Sequence, residues 1–248
     1  MSEDAASKPR GRGLLLSPKT VARLTGLAYL AMVPGGVGFM TIRPRLLSST
    51  AQGTLSNLSQ HTELARLGVA AMLSVVVAQA LAALGFYALY RTARPTVAFG
   101  VAGFGLMNSA AILAGAVASS SAVGLAGGAS SEDPATAAVV HALYVFEGNA
   151  WSVGGLFFGL WLIPMGLGAA TTELFHGGRL LGGLLVLGGV AYVASAFLAL
   201  SPAMVTAGVP DMLAGVATLG EVWTMLALLV VGVRAKSPAR PEPPATRA

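Results

Sequence analysis

The sequence predicts an all-α fold: a polytopic integral membrane bundle of six transmembrane helices with both termini cytoplasmic. Three observations predict it. First, six apolar segments, roughly 22–42, 67–90, 97–119, 147–170, 180–200 and 212–233, each supply the run of about 20 residues that crosses a bilayer core. Second, 55% of the 248 residues are hydrophobic and 10% are charged, whereas a soluble domain covers its surface with about 25% charged residues. Third, the basic residues are one-sided. Lys8, Arg10, Arg12, Lys19, Arg23, Arg91, Arg94, Arg179, Arg234, Lys236, Arg240 and Arg247 flank one side of the spans, and only Arg43, Arg45 and Arg66 flank the other. Loops rich in Lys and Arg stay in the cytoplasm, which places both ends of the chain there.

The elements follow in order. Residues 1–20, with "SEDAASKPRGRG", lack apolar content and are expected to form a disordered basic tail. The first span begins only after Arg23 and meets Arg43-Pro44-Arg45 where a signal peptide would carry small residues, so it reads as an uncleaved signal-anchor helix. Within it, "VPGGVG" (33–38) combines a proline with softening glycines, and a kink is expected there. The outer loop "LLSSTAQGTLSNLSQHTELAR" has scattered apolar positions suited to a short helix on the membrane surface. "RTARPT" is a short cytoplasmic turn between spans two and three. In the next outer loop Asp133-Pro134 is expected to start a helix, with proline in its first position. That helix would run through His141 into span four and be too long for one straight crossing, so it must tilt, break near Gly148 or project outward. "TTELFHGGR" closes span four, with Gly177-Gly178 ahead of span five. Gly155-x-x-x-Gly159 and Gly178-x-x-x-Gly182 read as close-packing motifs. The transmembrane domain so defined covers 21–234, and "AKSPARPEPPATRA" (235–248) is a second expected disordered tail.

Composition also excludes function classes. The net charge of +5 lies in clusters beside apolar spans, where topology and anionic lipid headgroups account for it, so nucleic acid is not an expected partner. The expected partners are the lipid bilayer and those headgroups, with a second copy of the chain or another membrane protein left open. The absence of cysteine rules out disulfides and thiolate chemistry. No phosphate-binding loop, serine-nucleophile elbow or dinucleotide fingerprint is present, which weakens the enzyme reading. No cofactor and no metal is expected: His141 and Glu147, even with His61 and Glu63, have no recognised ligand spacing.

Polar residues inside the spans carry what functional signal there is. Gln79, Asn108 and Glu221 fall at the middle of spans two, three and six, so three helices bring polar groups to one depth. A charge at mid-bilayer costs about 2.5–3.5 kcal/mol on insertion scales, so these groups should face the bundle and meet there. A second layer lies nearer the outer face. His141, Tyr144 and Glu147 follow at spacings of three, with Asn149 and Trp151 beyond, and Arg43 and Arg45 end the first span at the same level. Glu147 is expected to pair with Arg43, Arg45 or His141. Both layers admit two uses: fastening helices, or holding a ligand or proton. The candidate ligand-binding set is therefore Glu221, Asn108, Gln79, Glu147, His141 and Arg43.

"TGLAYLAMVPGG" in the first span, "GLFFGLWLIPMG" in the fourth, "GGRLLGGLLVLGGVAYV" in the fifth and "LGEVWTMLALLVVGV" in the last occur in the order seen in one family. Through them the chain resembles, over about residues 20–233, a bacterial membrane family known as domain of unknown function 4386. The resemblance implies a multi-span helical protein without assigned catalytic residues, and with it a multi-pass protein of the bacterial cytoplasmic membrane. Two functions fit: transport or sensing of a small molecule or proton through the intramembrane polar residues, or a structural or accessory subunit in which those residues only fasten helices.

Overall fold

A computed structural model describes residues 16–128, 133–201, 203, 208–231 and 233. Both tails, expected to be disordered, lie outside the described residues, apart from 16–20. Among the described residues there are seven α-helices and no strand. They are α1 (Pro18–Leu46), α2 (Ala51–Gln60), α3 (Thr62–Tyr90), α4 (Pro95–Gly128), α5 (Pro134–Thr171), α6 (Gly178–Leu198) and α7 (Val209–Leu226). A π-helical turn, Ala227–Val231, continues α7. Five of them, α1, α3, α4, α5 and α6, are long and apolar enough to cross a membrane. The segment 218–230 of α7 and its extension is apolar but shorter. By length and composition the chain is thus a multi-pass helical membrane protein.

Local chemistry explains the helix ends. Ser17 caps α1, its hydroxyl accepting from the Thr20 amide at 3.2 Å, and Pro18 fills the first helical position, where no amide donor is needed. α1 then continues as one helix through Pro34. The glycines that follow serve close approach: a Cβ on Gly35 would run into Ser74 Oγ and, at 2.8 Å, the Ala71 carbonyl of α3. Asp133 caps α5, accepting from the Ala135 amide at 3.0 Å and the Thr136 hydroxyl at 2.6 Å. These hydrogen bonds hold its carboxyl below the usual aspartate range. Between α5 and α6 the chain reverses through Gly177, whose φ of 66° suits glycine.

α5 has 38 residues, so it measures about 57 Å against a hydrocarbon core of about 30 Å. It does not break at Gly148. Its first turns instead pack with α2 and the end of α4. There Leu55 and Leu58 join Ala137, Val140, Tyr144, Ala122 and Ala126 in one buried cluster. The surface helix expected from the sequence is thus a cap on one end of the bundle.

The long helices close into a ring in the order α1, α3, α4, α5, α6, α7, with α7 returning to α1. The ring's outside is greasy: Phe99, Leu180 and Val230 are 74%, 61% and 74% exposed, as suits lipid contact. Towards the Arg91 and Gly177 turns, an aromatic core fills the ring. Tyr29, Phe86 and Trp161 meet edge to face with centroids 5.2–6.2 Å apart.

Packing between α5 and α6 depends on bare backbone. A Cβ on Gly159 or Gly189 would lie 2.6 Å from the other's carbonyl oxygen, and a Cβ on Gly166 would lie 2.6 Å from that of Gly182. Of the expected motifs, Gly159, Gly178 and Gly182 serve as contacts, whereas Gly155 faces open space. Gly182→Ala should therefore lower stability in detergent by about 1–3 kcal/mol through overpacking. Gly183→Ala, with nothing near its Cβ, should leave the thermal midpoint unchanged or raise it slightly.

Candidate functional site

Two polar layers emerge, and the structure treats them differently. In the layer near α2, Arg43 Nε donates to Glu147 Oε2 at 3.0 Å, and Arg43 Nη2 donates to the Tyr144 carbonyl at 3.3 Å. Gly148 makes room for this, since a Cβ there would collide with the guanidinium. The partner of Glu147 is thus Arg43; Arg45 is exposed, and His141 Nδ1 instead shares a hydrogen bond of 2.9 Å with the Thr54 hydroxyl, tying α2 to α5. One turn along α5, Trp151 stacks on Phe39 at 4.2 Å. The layer is a seam between α1 and α5, and its members are paired. Glu63 bonds Arg66 on the surface at 2.8 Å, apart from these groups.

The second layer surrounds a cavity of about 730 Å³ lined by residues of α1, α3, α4, α5, α6 and α7. Gln79, Asn108 and Glu221 all line it, as does Tyr29. Asn108 Nδ2 donates to Gln79 Oε1 at 3.0 Å, and the Tyr29 hydroxyl donates to Glu221 Oε2 at 3.2 Å. The expected direct meeting of all three residues therefore takes another form. Gln79 and Asn108 form one pair, Glu221 and Tyr29 another, and both face the same space.

Glycine sets these positions too. A Cβ on Gly105 would press on Ala83 at 2.6 Å and on Trp161 at 3.0 Å, so α3 and α4 approach closely there. One turn further along, that approach brings the Asn108 amide within reach of Gln79. Tyr29 is held by its ring contacts to Phe86 and Trp161. A Cβ on Gly220 would lie 3.3 Å from the Leu184 backbone of α6, so the turn bearing Glu221 runs close against α6.

Two atoms in this layer are buried without a hydrogen-bond partner: Gln79 Nε2 and Glu221 Oε1. An unmet buried donor or acceptor costs about 1–3 kcal/mol, and both of these atoms belong to residues that line the cavity. The remaining wall is mixed. Asn149, Ser152, Tyr192 and Ser195 contribute polar groups, while Met32, Met40, Phe158 and Met225 supply apolar surface. Val37 and Met40 of α1, Val153 of α5 and Leu200 beyond α6 all line the cavity yet are 55%, 66%, 56% and 75% exposed, so the cavity is open at its rim. Among the described residues, no Lys or Arg lines it and Glu221 is its one acidic residue.

Arg43, Glu147 and His141 do not line the cavity. Conversely, Tyr29 and Tyr192 belong to the site and were not singled out from the sequence. A signal existed: both stand near the middle of their helices, whereas membrane tyrosines usually gather at the interfaces. Among the described residues, no three metal-ligating side chains converge.

A protein-family model described as "Domain of unknown function (DUF4386)" matches residues 24–232, nearly the whole chain. No curated protein matches the chain, and no solved structure matches it.

For the outer layer, truncating one partner of a buried pair leaves the other uncompensated. Arg43→Ala should lower stability in detergent by about 3 kcal/mol, and Glu147→Ala should cost more than Glu147→Gln, which keeps a hydrogen bond. Exchanging the charges, Arg43→Glu with Glu147→Arg, should recover part of the loss in the same unfolding measurement.

Proposed function

The chain belongs to the family described as domain of unknown function DUF4386, and on that premise we propose a function from the cavity itself. The protein is a transporter or sensor that binds a small amphipathic molecule inside the membrane, between its helices. One observation carries this reading: a space of about 730 Å³ whose wall is largely apolar and whose lining residues include Gln79 and Glu221, each with one buried polar atom left without a partner. Binding sites for small molecules have this character, with apolar walls for affinity and a few placed polar groups for orientation. A ligand carrying both an acceptor for Gln79 and a donor for Glu221 would satisfy both atoms. The exposed α1 wall at Val37 and Met40 gives a hydrophobic solute a way in from the lipid.

The competing reading is a structural subunit whose polar residues only fasten helices. The Gln79–Asn108 and Arg43–Glu147 bonds favour it, since each joins two helices. We assign that role to the Arg43–Glu147 layer, whose groups are paired and lie away from the cavity.

The topology that serves this function has six crossings with both termini in the cytoplasm of a bacterium. The sixth crossing is α7 with its π-helical extension, long enough together to span about 30 Å. The charge bias supports the orientation, as Arg91, Arg94 and Arg179 lie on one side of the bundle and Arg66 with α2 on the other. A cysteine replacing Gln60 should label from outside intact cells and one replacing Thr92 should not; the reverse pattern would invert the protein.

Ligand binding is tested with matched cationic, neutral and anionic amphipaths on the protein in lipid nanodiscs, reading the thermal midpoint. Gly155 lines the cavity and nothing lies within 4 Å of a Cβ placed there, so Gly155→Phe starts without a clash and adds a ring to the cavity wall. At least one probe should stabilise the wild type saturably, and Gly155→Phe should abolish that effect while folding normally. No saturable stabilisation by any probe, or stabilisation indifferent to Gly155→Phe, would overturn the reading.

A further inference from the structure

Resting on that reading of the cavity, we propose that its ligand is a lipophilic amine, held by Glu221 and by the aromatic rings around it. Charge decides the class. Among the described residues, the cavity wall contains one carboxyl group and neither Lys nor Arg. The cation nearest in kind, Arg43, is engaged by Glu147 and the Tyr144 carbonyl, and His141 is engaged by Thr54. An anionic ligand would therefore enter a space of low polarity beside an acid, with nothing to neutralise it. An amine meets the opposite situation. It and the Glu221 carboxyl hold one transferable proton between them, and whichever carries it, the pair is neutral overall and joined by a hydrogen bond. The buried pair then adds no net charge to the membrane interior.

Geometry supplies three further supports. Glu221 Oε2 already accepts from the Tyr29 hydroxyl at 3.2 Å, and Oε1, buried in the unliganded protein, has no partner, so a turn of the carboxyl toward the cavity gives a donor N–H its acceptor. Rings of Tyr29, Trp151, Phe158 and Tyr192, from three helices, line the same space, and the negative face of an aromatic ring attracts a cation. Gln79 Nε2 offers a donor to an ether, hydroxyl or carbonyl oxygen elsewhere on the ligand. The site thus selects an apolar body bearing an amine and an acceptor oxygen, and it rejects the corresponding acid.

The test uses phenoxypropylamine, phenoxypropanol and phenoxypropionate, which share a ring and an ether oxygen and differ at the terminal group. Affinities are measured by thermal shift on the wild type in nanodiscs of zwitterionic lipid, so that headgroup charge does not concentrate the amine. The amine should bind about tenfold tighter than the alcohol, the usual advantage of a charge-assisted hydrogen bond over a neutral one, and the carboxylate weakest of all. Glu221→Gln should bring amine and alcohol to within about threefold of each other. Equal binding of amine and alcohol to the wild type, or tightest binding of the carboxylate, would sink the proposal while leaving the cavity a binding site. Absence of binding by all three would instead remove the underlying reading. The wild-type ranking decides the matter even if Glu221→Gln does not fold, and Tyr29→Phe, which spares the carboxyl, should keep the amine preferred.

Discussion

Helices in lipid gain nothing from hiding apolar side chains from one another, because the solvent is as apolar as they are. Their association has to come from close contact, and here that contact is made where side chains are missing. Gly159 meets Gly189 and Gly166 meets Gly182 along the α5–α6 seam, Gly35 lets α1 reach α3, and Gly105 lets α4 reach α3. Each glycine turns a helix face into a groove that a neighbouring backbone or methyl group enters. The ring, its aromatic plug and its cavity all follow from where these approaches occur and where they do not. Gly155 shows the converse: lying on α5 one turn from Gly159, it meets nothing and opens onto the cavity.

The same scarcity of partners governs the polar groups. With no water at mid-membrane, a hydrogen-bonding atom either finds another protein atom or stays unmet at a cost. In the outer layer Arg43, Glu147, His141 and Thr54 meet the demand among themselves, and the result is a joint between α1, α5 and the α2 cap. At mid-depth the demand is met only halfway. Gln79 has Asn108 and Glu221 has Tyr29, but one atom of each is left over beside an open space. That difference between a completed network and an incomplete one distinguishes the two layers.

The cap adds a second asymmetry. α4 and α5 are the longest helices, and at one end α2 packs on both, burying Thr54, Leu55 and Leu58. At the other end the turns are short and the aromatic core seals the ring. Exposed residues rim the cavity on several sides: Val37 and Met40 on α1, Val153 on α5 and Leu200 just beyond α6.

The sequence by itself determined the helical class, the long apolar spans and the cap at Asp133. These depend on local composition and on capping chemistry, which a chain carries wherever it folds. It also marked Gln79, Asn108 and Glu221 as one layer, because depth along a crossing can be counted residue by residue. Rotation about each helix axis and the order of helices around the ring cannot be counted that way. With apolar residues on every face, the spans carry no periodic stripe to say which side turns inward. Hence only the tertiary structure decided that Glu221 bonds Tyr29 rather than Gln79, that Glu147 takes Arg43 and not Arg45 or His141, and that Gly155 faces empty space. The physical reason is that these pairings depend on where glycines let backbones approach, and an approach is a property of two helices together.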